Sequence, residues 1–435
     1  MDDRKKQSQS DFLEETIKKR PVNKQKVVRR MIEVSLLAIL FGAIACATIV
    51  LLSPVLEKMI FREEEEETES QVAEMDFAED SLEVVAEEIQ PEDMLAEDVQ
   101  EEPEETVVIV EETMTAQQIV EEEARLFSEL AESCADWLVT VRGVSSNESW
   151  LESSLVSASE YSGAIVTESD TDLYILTNSG SLSRADYIEL TFVDGTTAVG
   201  TICEEDSNSG LMVLRVSKED LSAETLEEVS VAVFSSSNLK SNLGSRVLAV
   251  GNPMGVSGSY VSGTITAMGI EASSWDINYK VLMTDIYASQ SPQGFLVNLR
   301  GYIVGVLCND YNSADTGNIL SALGITELKK TIELMCSGSE IPRLGIQGTD
   351  VTAAANEQEG VPLGAYVTEV LLNSAAMSAG IQIGDIVTAV DETEISGMSD
   401  LTSCLLSYRA GDSVTVTICR LSQGVYREIE LHIIL

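Results

Sequence analysis

Residues 173–216 read LYILTNSGSLSRADYIELTFVDGTTAVGTICEEDSNSGLMVLRV. Short apolar runs (LYILTN, YIELTFVDG, LMVLRV) alternate there with clusters of Gly, Ser, Asn and Asp. Strands of this length at this spacing predict an antiparallel all-β barrel or sandwich. The same texture precedes it in WLVTVRGV (137–144) and YSGAIV (161–166). It follows it in RVLAVGNP (246–253) and GYIVGVL (301–307).

Helical periodicity returns over Ile325–Met335, and Gly338 and Pro342 then mark a boundary. The last 95 residues or so form a smaller unit, opened by LGIQGTD. GAYVTEV and DIVTAVD read as strands, and SAAMSAG as a short helix closed by Gly380. Met398–Tyr408 reads as an amphipathic helix, and SVTVTICR and YREIELHII as closing strands.

The net charge of -46 is distributed unevenly. Residues 1–30 carry basic clusters at Arg4–Lys6, Lys18–Arg20 and Lys24–Arg30. Residues 63–132 hold 28 acidic residues and one basic residue, Arg125. Such a block repels itself and predicts a disordered linker over 57–120, acting as an extended spacer. A short helix is expected near its end, from about Thr115 to Leu130. So acidic a chain is a poor partner for nucleic acid.

Val34 to Leu56 is an uncharged run of 23 residues, long enough to span a bilayer as a helix. Basic residues crowd its amino side and Glu63–Glu67 follow it. The positive-inside rule then places a basic tail, 1–33, in the cytoplasm and everything after the span outside. A cleaved signal peptide is the alternative, with Ala43-Ile44-Ala45 weakly cleavage-like, but the long tail and long apolar run favour an uncleaved anchor. Cys46 is not read as a lipoprotein site, because the apolar run continues ten residues past it.

The seven cysteines form no C-x-x-C pair and have no histidine beside them, so no metal site is expected. They read as buried free thiols, with an unassigned disulfide among the six after Cys46 as the alternative. No cofactor is implied. The chain has one histidine, His432, in the run Glu428-Ile429-Glu430-Leu431-His432. That alternation puts His432 on the solvent face of a strand, with the two glutamates.

Residues 173–216, with RVLAVGNPMGVSGSYVSGTITAMGI (246–270) and MTDIYASQSPQGFLVNLRGYIVGVL (283–307), resemble the trypsin-like serine proteases of the HtrA/DegP type. From Arg343 the chain resembles a PDZ domain, the module that follows the protease in that family. The resemblance covers about 300 of the 435 residues. It implies a mainly β chain with a trypsin-like double β-barrel over 121–338 and a PDZ domain over 339–435. The anchored members of the family share this layout. The resemblance allows a homotrimer through the protease-like domain.

Against the family's motifs, the catalytic positions are replaced. After Leu176-Thr177-Asn178-Ser179, Gly180 stands where the family has its histidine. Gly210 precedes Leu211-Met212-Val213-Leu214, where the family has its aspartate. Gln290-Ser291-Pro292-Gln293-Gly294 aligns with the nucleophile motif, with Pro292 at the serine. Proline also lacks the N–H that would help bind an oxyanion, and Gln290 replaces the glycine that would supply the other donor. Ser291 or Ser289 could serve as a displaced nucleophile, but neither has a visible base. Asp285 matches a structural position of the family.

The PDZ resemblance implies that Arg343-Leu344-Gly345-Ile346 offers backbone N–H groups to a peptide carboxylate, the peptide then adding as a strand at the sheet edge. Leu344 and Ile346 would line an apolar pocket. Leu401 and Leu405, four apart on one helix face, would form its other wall, unless they are simply core. The expected function is a membrane-anchored, extracytoplasmic pseudoprotease that binds peptide or protein termini, or unfolded segments, as a scaffold or adaptor in envelope protein quality control. The alternatives are an active serine endopeptidase with a rearranged site and a structural envelope protein without peptide binding.

Overall fold

The computed structural model describes residues 115–144 and 160–435, which fall within one compact unit. The basic tail, the apolar run 34–56 and most of the acidic segment lie outside the described residues. Among the described residues, no helix is long and apolar enough to cross a membrane.

Helix α1 (Ala116–Ala135) opens on a capping box, in which Thr115 and Gln118 satisfy each other's backbone N–H groups. It runs five residues beyond Leu130, and its first turn falls in the stretch read as linker. Six strands follow: β1 (Leu138–Val144), β2 (Glu160–Glu168), β3 (Asp172–Asn178), β4 (Tyr187–Thr191), β5 (Thr197–Asp206) and β6 (Leu211–Ser217). They close a barrel in the order β1-β2-β3-β6-β5-β4. Helix α2 (Ala223–Glu228) leads to a second set: β7 (Arg246–Asn252), β8 (Ser259–Ser274), β9 (Ile277–Tyr287), β10 (Gln293–Asn298), β11 (Ile303–Leu307) and β12 (Ile319–Gly324). These close a second barrel, β10-β11-β12-β9-β8-β7. The chain is therefore mainly β, with two six-stranded barrels of trypsin-like type.

Each barrel has its own apolar filling, and a third core lies between them. Trp137, just before β1, packs edge-on to Phe295 of β10 with ring centroids 5.9 Å apart. Helix α3 (Ile325–Cys336) buries Ile325, Leu328, Ile332 and Met335 in the same core, as its 3.6-residue periodicity requires.

The remaining strands are β13 (Ile346–Asp350), β14 (Ala365–Val370), β15 (Ile386–Val390), β16 (Thr393–Glu394), β17 (Ser413–Ser422) and β18 (Val425–Ile434). They form a sheet in the order β13-β14-β15-β17-β18, with β16 paired to β15. Helices α4 (Ala353–Glu359), α5 (Ala375–Ala379) and α6 (Met398–Leu405) complete this domain. β13 is the sheet's edge strand and packs near α6. The six described cysteines are free, four of them buried. His432 is exposed on β18, its Nδ1 within 3.1 Å of Thr415 Oγ1.

Candidate functional site

The β3–β6 ladder brings two of the replaced catalytic positions to one end of the first barrel. Asn178 pairs with Leu211, and the Ser179 N–H donates to the Gly210 carbonyl at 2.8 Å. Gly180 and Gly210 thus lie in adjacent turns at that end of the barrel. Gly180 has a φ of +43°, and a Cβ built on it would stand 2.5 Å from Cε1 and 2.7 Å from Cζ of Tyr161. The Tyr161 hydroxyl is held there, accepting from the Ser181 N–H at 2.9 Å and lying 3.0 Å from Ser181 Oγ. A side chain at position 180 would need both a left-handed backbone and the volume that the tyrosine fills.

In the second barrel, Pro292 is buried immediately before β10. Gln290 and Ser291 are exposed, whereas Ser289 Oγ is buried without a hydrogen-bond partner. The Ser289 N–H donates to the Pro253 carbonyl at 3.2 Å. Asp285 accepts from the Thr264 N–H at 2.6 Å and so staples β8 to β9. With His432 on the terminal strand of the other domain, no imidazole faces the cleft. Among the described residues, no group of three or more metal-capable side chains assembles.

The second candidate region holds all six residues assigned from the sequence to peptide binding. Leu344, Ile346, Leu401 and Leu405 belong to one buried cluster between the sheet and α6. The N–H groups of Leu344, Gly345 and Ile346 converge on a single acceptor, the carboxylate of Asp276 at the tip of the β8–β9 hairpin. Gly345 has a φ of +88°, and a Cβ there would meet the Ser374 Oγ at 2.9 Å, so only glycine lets the loop curl with its amides inward. Burial pushes the Asp276 carboxyl above the usual carboxylate range, while the amides and the Arg343 guanidinium pull against that rise.

Arg343 does not point into the loop. Its guanidinium pairs with the buried carboxylate of Asp206 and donates to the Trp275 carbonyl at 3.3 Å. Asp206 also accepts from Ser209 Oγ at 2.6 Å and from the Asn208 N–H at 3.1 Å, fixing the β5–β6 turn that carries Gly210. Sequence reasoning missed both Tyr161 and Asp276. Each meets its partner across a barrel or a domain boundary, and no motif spacing announces such a contact.

Residues 161–306 match the trypsin-like peptidase domain family, and residues 342–433 match the PDZ domain family. A probable periplasmic serine protease do/HhoA-like of Haemophilus influenzae is 28% identical over 266 residues, covering 60% of this chain and 55% of that protein. The serine protease Do-like HtrA of Bacillus subtilis is 27% identical over 338 residues, covering 71% of this chain and 73% of its own length. The periplasmic pH-dependent serine endoprotease DegQ of Escherichia coli is 26% identical over 281 residues, 62% of this chain and 58% of that one. The chain thus spans between about half and three quarters of the length of these relatives. Among solved structures, an HtrA-type protease AlgW with tripeptide aligns at a TM-score of 0.49 and 21% identity, covering 71% of this chain and 95% of that one.

Proposed function

The chain joins a trypsin-like peptidase domain to a PDZ domain and is homologous to the HtrA/DegP serine proteases, and from that premise we propose that it is a pseudoprotease that recognises peptide or protein termini without cutting them. The observation that carries this reading is that Tyr161 fills the space a side chain on Gly180 would enter. A general base must reach the nucleophile to take its proton. Here the space for that base is occupied, and the nucleophile position is a buried proline with no hydroxyl and no N–H.

The binding half of the reading is supported by the loop of Leu344, Gly345 and Ile346. Its three amides already hold one carboxylate, which is the chemistry needed for a peptide's carboxyl end. β13, next to the loop, is an edge strand of its sheet, where a peptide strand would add in place of the β8–β9 hairpin that bonds its Ile346 and Gly348 carbonyls. Residues 34–56 would anchor the chain in the cell membrane, with 1–33 cytoplasmic and the two folded domains extracytoplasmic. There it would act as a scaffold or adaptor in envelope protein quality control, as a monomer or a homotrimer.

The test is proteolysis of unfolded casein by the purified chain, beside a Ser291→Ala variant. No cleavage above the no-enzyme control is expected from either protein. Cleavage that Ser291→Ala abolishes would establish an active serine endopeptidase with a rearranged site instead.

A further inference from the structure

We propose that the PDZ groove is closed by an internal ligand: Asp276 of the β8–β9 hairpin stands in the carboxylate-binding loop in place of a peptide's terminal carboxylate, and a partner with a free carboxyl end must displace it. This rests on the peptide-binding reading above and adds its regulation. Asp276 lies in the two-residue connection between Ser274 and Ile277, with a φ of +63°. Aspartate is among the few residues that tolerate this conformation, and its short side chain is then carried straight into the neighbouring loop.

Its Oδ2 accepts from the Leu344 N–H at 2.9 Å, its Oδ1 from the Ile346 N–H at 3.0 Å, and both oxygens from the Gly345 N–H at 2.8 and 2.9 Å. The amides of Leu344, Gly345 and Ile346 are therefore all taken, and a second carboxylate could not use them while the hairpin stays. The backbone of the hairpin also bonds to both sides of the groove. The Asp276 N–H donates to the Ile346 carbonyl at 2.7 Å, and Thr402 Oγ1 of α6 donates to the Asp276 carbonyl at 2.6 Å. Asn278 Nδ2 adds a bond to the Gly348 carbonyl of β13 at 3.2 Å.

A plain domain contact has no need of a carboxylate. Burying one is costly unless donors are arranged around it, and a hairpin tip can be covered by neutral residues. Asp276 is 4% exposed and fully matched by amides, which is how a bound anion is held. Arg343, next to the loop, clamps the hairpin from outside through Trp275 and Asp206. Displacing the hairpin would therefore loosen the PDZ domain from the β5–β6 turn at the silent cleft.

The experiment compares the full-length protein with Asp276→Gly and Asp276→Asn. Both substitutions tolerate the positive φ, and the second preserves the side-chain shape should the first fail to fold. Each protein is titrated with a short fluorescent peptide ending in valine with a free carboxylate, and with its amidated twin. Hydrogen exchange of the amides of residues 344–346 is followed without peptide. The inference expects those amides to exchange faster in the variants and the free-acid peptide to bind about tenfold tighter or more, because the closed population no longer subtracts from affinity. The amidated twin should stay weak throughout. Equal affinity of variants and wild type would overturn the internal ligand and leave the peptide-binding reading standing, as would unchanged exchange. Faster exchange with no peptide bound by any of the proteins would sink the peptide-binding reading, and the internal ligand with it.

Discussion

The ring of Tyr161 fills the space that a side chain on Gly180 would enter, with Cζ 2.7 Å from the position of an added Cβ. Tyr161 lies near the start of β2 and Gly180 in the turn after β3, and the two are tied through Ser181. Glycine at 180 is therefore a packing requirement of this chain as well as the loss of a catalytic group.

Gly180→His should cost about 2–4 kcal/mol, from the left-handed backbone and the overpacking together. In a Tyr161→Ala background, the same substitution should cost at least about 1 kcal/mol less, because the clash is gone. Urea unfolding of the four proteins of this double-mutant cycle gives the coupling. An additive result would show that the tyrosine does not exclude the side chain.

The pair of Arg343 and Asp206 makes a second prediction. Asp206 is 1% exposed and keeps its hydroxyl and amide donors when the guanidinium is removed. Arg343→Ala should then destabilise by about 1–3 kcal/mol, below the roughly 3–5 kcal/mol for breaking a fully buried pair, because the guanidinium is partly exposed. Arg343→Lys should recover only part of this, since a single ammonium cannot serve both Asp206 and the Trp275 carbonyl as the planar fork does. Chemical unfolding with a loss of at least about 1 kcal/mol would support the account. No loss would mean that the ion pair does not stabilise the fold.

Much of this architecture was legible in residues 173–216, because alternating strands and turn clusters encode a barrel locally. LYILTN and LMVLRV became β3 and β6, and their pairing set Gly180 beside Gly210. Helix α4 was not foreseen: Ala353–Glu359 buries no residue and so has no apolar stripe to read, and its Thr352 cap alone is a weak signal. The contacts of Asp276 were illegible for another reason. Ser-Ser-Trp-Asp reads as an ordinary turn, and its partners lie 68 to 70 residues further along the chain. Long-range pairing of a turn with a loop leaves no periodic trace.

Two thiols, the buried Cys134 and the half-buried Cys308, predict an alkaline limit to stability. Burial pushes Cys134 and Cys308 up to about 12. Unfolded, these thiols lose their protons from about pH 8.5, while in the fold they keep them. Their contribution is thus fully present below about pH 8.5 and is lost as the pH rises toward 12, by at most about 1.4 kcal/mol per unit and per thiol. Thermal melts from pH 7 to 11 should fall accordingly, and Cys134→Ala with Cys308→Ala should flatten the alkaline slope. In the native protein at pH 8, a thiol reagent should react with neither residue.

The proposed anchor is tested by fractionation. The full chain should sediment with membranes and resist high-salt extraction, whereas a chain beginning at residue 57 should be soluble. External protease should remove the two folded domains from intact spheroplasts and leave the basic tail protected. Extraction of the full chain by salt alone would contradict the span over residues 34–56.

The central claim is that the barrel cleft holds no reactive serine. Its most direct measurement is mass spectrometry of the full-length protein after prolonged incubation with a fluorophosphonate probe, which labels an activated serine hydroxyl. The account predicts no adduct on Ser289 or Ser291 above that found on the heat-unfolded chain. A stoichiometric adduct on either serine in the native protein, lost on unfolding, would contradict it.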